Sequence, residues 1–78
     1  MVLEKRSFTL SGHRTSVALE PEFWRALAII AQRGGRTLSA LIAETDALRR
    51  PDRPLASELR VLALRQGSNA TGGIDPPG

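Results

Sequence analysis

Few residues in this 78-residue chain have the chemistry or the spacing for catalysis. It has no cysteine and one histidine, His13, so it lacks a thiolate nucleophile and the usual ligands of a structural metal. No serine has a plausible histidine beside it, and Gly34-Gly35 is a lone pair rather than a phosphate-cradling loop. Glu44 and Asp46 are neighbours in sequence, but a spacing of two does not bring side chains together on a helix, so they are a poor acid–base pair. An enzyme is not expected, and neither is a metal or a cofactor. What the chain does offer is positive charge. Eleven lysines and arginines against eight acids give +3, with a pI near 11.1. That balance suits a polyanionic partner.

These charges must be positioned by few elements. Residues 1–12 read as an N-terminal arm or an extra strand, with an alternating piece Ser7-Phe8-Thr9-Leu10 that ends at Ser11-Gly12. Residues 13–20 alternate again: in a strand, His13, Thr15, Val17 and Leu19 share one face and Arg14, Ser16 and Ala18 the other. A helix is predicted over 21–33. Pro21 suits its first turn, Glu20 and Glu22 complement its dipole, and Gly34-Gly35 stops it. Phe23, Trp24, Leu27, Ala28, Ile29, Ile30 and Ala31 give it an apolar surface broad enough to need neighbours on more than one side. A second helix is predicted over 38–49, capped by Thr37, with Leu38, Leu41, Ile42, Thr45 and Leu48 inward and Pro51 closing it. A third is predicted over 55–66 with Leu55, Leu59, Leu62 and Ala63 on one face. The domain is thus 13–66, and the Gly- and Pro-rich segment 67–78 is expected to be a disordered tail.

A chain this short buries too little surface to be comfortably stable alone, and without cysteine or metal the remaining device is a partner chain. The strand over 13–19 poses the same question, since its backbone groups need partners. One solution pairs it with its copy in a second chain. The mainly α fold would then be a dimer, with Val17, Leu19, Trp24, Leu27 and Ile42 at its interface. Arg14, Ser16 and Ala18 would repeat across a two-fold axis on a ribbon that fits the DNA major groove. The alternative pairs 6–10 with 13–19 inside one chain, turning at Ser11-Gly12, and yields a ββααα monomer.

The run Arg14-Thr15-Ser16-Val17-Ala18-Leu19-Glu20-Pro21-Glu22-Phe23-Trp24, followed by Gly35-Arg36-Thr37-Leu38-Ser39-Ala40-Leu41-Ile42, resembles the ribbon-helix-helix (MetJ/Arc-type) superfamily of bacterial repressors. With Gly12-His13 before it and Leu55-Ala56-Ser57-Glu58-Leu59-Arg60-Val61 after it, it looks like a subfamily of short proteobacterial members with an extra C-terminal helix. The resemblance implies sequence-selective binding of double-stranded DNA by a dimer, most simply as a transcriptional repressor. It assigns base contacts to Arg14, Ser16 and Ala18: arginine pairs bidentately with guanine, serine adapts, and alanine touches only a thymine methyl. It places a phosphate clamp at Thr37, Leu38 and Ser39, with Arg36 beside it and Lys5 and Arg6 as a backbone-tracking arm. Ala18 departs from the longer polar residue common at that position, so good specificity would call for several dimers side by side. Many small proteins of this superfamily are antitoxins, and the competing reading is a C-terminal segment that binds a partner protein.

No stretch approaches the length of a membrane span, and Met1-Val2-Leu3-Glu4-Lys5-Arg6 lacks the apolar run of a signal peptide. A cytoplasmic location is the expectation.

Overall fold

Two residues with left-handed backbone set the topology. Ser11 and Gly12 have φ of 51° and 81°, the signs a two-residue hairpin turn of type I′ requires. In the computed structural model, which describes residues 2–70, the chain therefore reverses there. β1 (Glu4–Leu10) pairs antiparallel with β2 (His13–Leu19), from Leu10 opposite His13 to Glu4 opposite Leu19. The 13–19 strand, expected to seek its partner in a second chain, finds one in its own. The extra strand at the N-terminus supplies it, and it begins at Glu4, two residues before the alternative pairing placed it.

Three helices follow. α1 (Pro21–Arg33) has the bounds its sequence implies, α2 (Leu38–Leu48) ends one residue early, and α3 (Leu55–Ala70) runs four residues past the predicted end. Residues 67–70, assigned to a disordered tail, are helical; 71–78 lie outside the described residues. α1 ends in a Schellman motif. The Arg36 amide donates to the Ala31 carbonyl at 2.9 Å and the Gly35 amide to the Gln32 carbonyl at 3.1 Å, with Gly35 at φ +69°. A Cβ added to Gly35 would meet nothing within 4 Å, so Gly35→Ala isolates the backbone cost. It is expected to lower stability by ~1–2 kcal/mol, read as a shifted urea midpoint at unchanged slope.

Trp24, Leu19, Leu27, Leu41, Ile42 and Leu59 are fully buried, and Leu10, Val17, Ile30, Ala31 and Ala63 complete the core. Val17, Leu19, Trp24, Leu27 and Ile42, expected at a dimer interface, are all buried within the single chain, where the hairpin and α3 supply neighbours for the broad apolar surface of α1.

An ion pair fastens α3 to the start of α1. Arg60 donates from Nε and Nη2 to the two carboxylate oxygens of Glu20, at 3.0 and 3.3 Å, and its guanidinium lies 5.9 Å from the centre of the Phe23 ring. The hydrogen bond from Arg60 holds the Glu20 carboxyl below its ordinary pKa. A depressed pKa contributes stability that is present above the unfolded value and lost as pH falls through the folded one. Wild type is therefore expected to lose more stability on acidification through the carboxylate range, about pH 5 to pH 3, than Glu20→Gln does. Urea midpoints at each pH measure the difference.

Candidate nucleic-acid interface

Residues opposite one another in an antiparallel pair share a face of the sheet. The register therefore groups Thr9 with Arg14, Ser7 with Ser16 and Lys5 with Ala18 on the side away from the core. Lys5, Ser7, Thr9, Arg14 and Ser16 are exposed and Ala18 is half-buried. Ser7 and Ser16 hydroxyls lie 3.1 Å apart across the strands. The face carries, among the described residues, two cations and no carboxylate. Among the described residues neither Lys5 nor Arg14 has an ion-pair partner, whereas Arg6, Arg36, Arg49, Arg50, Arg53 and Arg60 each do.

The opposite face holds the hairpin to the helices. Val17, Leu19 and Leu10 are buried there, and Phe8 meets Trp24 with ring centres 5.9 Å apart. The Trp24 indole N–H donates to the Glu4 carbonyl at 2.7 Å. The Arg6 guanidinium lies 4.8 Å from the centre of the Trp24 ring and pairs with Glu4 at 2.6 Å. The arm expected from Lys5 and Arg6 is thus divided. Lys5 joins Arg14, Ser16 and Ala18 on the outer face, and Arg6 covers the tryptophan on the inner one. Sequence reasoning did not single out Ser7 and Thr9. The signal was present in the alternation of Ser7-Phe8-Thr9-Leu10 and the two-residue turn, which together fix what stands opposite Arg14 and Ser16.

The start of α2 forms a separate group. The Thr37 hydroxyl caps the helix, accepting from the Ala40 amide at 3.0 Å. The amides of Leu38 and Ser39 lie in the first turn, where helical hydrogen bonding provides no partner, and that turn contains no acid. Ser39 is exposed and Leu38 half-buried. The Arg36 guanidinium reaches Glu44 on the next turns of the helix, so its charge is partly neutralised within the chain.

An open cleft of about 810 Å³ lies between the end of α1, α2 and α3. Arg36 and Arg53 on its wall are ion-paired with Glu44 and Glu58. No group of three metal-ligating side chains occurs among the described residues, and none of their helices is long and apolar enough to cross a membrane. α3 buries Leu59 and Ala63 in the common core.

The order is a strand pair that presents a cationic polar face, then helices joined through a glycine turn. The chain belongs to the ribbon-helix-helix domain family, whose model matches residues 3–66. Among solved structures it is similar to an uncharacterized protein from Bordetella pertussis Tohama I, at 34% identity and a TM-score of 0.71, covering 95% of this chain. The chain spans 63% of that protein's length. No curated protein matches it. Family membership supports a DNA-binding or regulatory role, and such domains are typically non-enzymatic and bind DNA as dimers.

Proposed function

We propose that the chain is a sequence-selective double-stranded DNA-binding protein that acts as a homodimer and represses transcription by occupying the major groove. The observation that carries this reading is the outer face of the hairpin, where Arg14, Ser16 and Ala18 alternate with unpaired charge and no carboxylate. Arg14 reads guanine, Ser16 adapts to its base, and Ala18 packs on a thymine methyl. The amides at Thr37, Leu38 and Ser39 bind phosphate, with Arg36 and Lys5 adding charge. Arrays of dimers on DNA raise the specificity that Ala18 limits. The protein works in the cytoplasm.

Two observations support a dimer. Each strand of the hairpin has one edge with no strand beside it among the described residues. The edge of β1 is guarded by Glu4, Lys5 and Arg6, whereas β2 is uncharged from Thr15 to Leu19. Charged residues keep strand edges from pairing, so β2 is the strand left open to a second copy. α2 also exposes Ala40, Ala43 and Ala47, and Leu48 is 79% exposed, an apolar surface that a second chain would cover.

Sedimentation at micromolar concentration, with and without duplex DNA, tests the proposal. Two chains per particle alone, and a multiple of two on the duplex, are expected. A clean monomer that leaves the duplex unbound would overturn it.

A further inference from the structure

We infer that β1 is a phosphate-binding rail: Lys5, Ser7 and Thr9 contact the sugar-phosphate backbone on either side of the groove that β2 enters. The inference rests on the DNA-binding reading above and extends the phosphate contact, which that reading gives on this strand to Lys5 alone, to Ser7, Thr9 and the outer face of β1 as a whole. Its basis is a comparison of widths. When two β2 strands pair across the two-fold axis, each hairpin adds its β1 outside, giving the order β1-β2-β2-β1. At the spacing of neighbouring strands, the outer two stand about 14 Å apart and the inner two about 5 Å apart. The major groove is about 12 Å wide. It admits the inner pair and leaves the outer strands above its walls, which are phosphates.

The residues that β1 turns to that side have the right chemistry for a wall and the wrong chemistry for the floor. Lys5 is a compact cation on a long stem, suited to phosphate as a point charge. Ser7 and Thr9 are short hydroxyl donors, exposed and level with Ser16 and Arg14 in the same sheet. Nothing acidic on this face repels a phosphate, because Glu4, the acid of β1, is turned to the inner face and paired with Arg6. The hydroxyl contact between Ser7 and Ser16, at 3.1 Å, ties the rail to the reading strand. Lys5, Ser7 and Thr9 are thus arrayed at every second residue of one strand, a spacing of about 7 Å, close to that between successive phosphates of a DNA strand.

The test uses the full chain and a duplex selected by the wild type. Lys5→Ala removes two phosphate contacts per dimer, so the slope of log affinity against log salt should fall by about 1.8. Ser7→Ala with Thr9→Ala carries no charge change and should weaken binding about tenfold on every sequence at an unaltered slope. Thermal unfolding of Lys5→Ala should match wild type, and that of the double variant should fall only slightly, since the positions and the Ser7–Ser16 contact are exposed. An unchanged salt slope and affinity in these variants, with wild type still selecting its site, would overturn the rail and leave the DNA-binding reading intact. A changed base preference in the variants would overturn it differently, by placing β1 in the groove. A wild type that binds no duplex would remove both readings together.

Discussion

Trp24→Ala is expected to lower stability by about 3–5 kcal/mol. Native domains are stable by only about 0.05–0.15 kcal/mol per residue, so the loss is a large fraction of the whole. The side chain is 1% exposed and fills the space between α1 and the hairpin. Removing it takes away the surface that Phe8 packs on at 5.9 Å and that Arg6 covers at 4.8 Å, as well as the donor to the Glu4 carbonyl at 2.7 Å. Trp24→Phe keeps most of the volume and loses the donor, so it should cost about 1–3 kcal/mol. Since Trp24 is the only tryptophan, unfolding has to be followed by far-UV circular dichroism rather than by fluorescence. A Trp24→Ala protein with near-wild-type stability would show that the hairpin is not held by this contact.

Arg14→Ala is expected to have the largest effect on recognition. A bidentate arginine–guanine contact discriminates against the wrong base by about 1–3 kcal/mol, and a dimer makes the contact twice. The arginine is exposed at the second position of β2, on the outer face. It has no ion pair among the described residues to break first. Affinity for the preferred duplex should therefore fall steeply while affinity for random duplexes falls little, and the base preference opposite Arg14 should relax. Binding titrations on both kinds of duplex separate the cases. An equal loss on all sequences would make Arg14 a phosphate contact. Fold is not at stake, because the position is solvent-facing.

Much of this was legible in the residues themselves. The helix signals worked because each was local: Pro21 in the first turn, Thr37 as a cap that does accept from Ala40, and Gly34-Gly35 as a stop whose second glycine takes the left-handed conformation. The faces of β2 were legible because Val17 and Leu19 can only point inward. The partner of β2 was harder to read. Whether residues 4–10 pair with one edge of β2 turned on whether Ser11, a residue with a side chain, accepts a positive φ, and it does. From that one turn came the division of Lys5 from Arg6, the addition of Ser7 and Thr9 to the face, and the burial of Trp24 beneath it. The end of α3 was misplaced because Gly67-Ser68-Asn69 has weak helix propensity, while the helix continues to Ala70.

Selection of bound duplexes from a random pool, at near-physiological salt, tests the central claim most directly. A dimer that lays two β2 strands in one major groove should enrich a short motif with two-fold symmetry, its half-sites close enough to be read from a single face of the duplex. Failure to enrich any sequence, with binding that fades uniformly as salt rises, would contradict it.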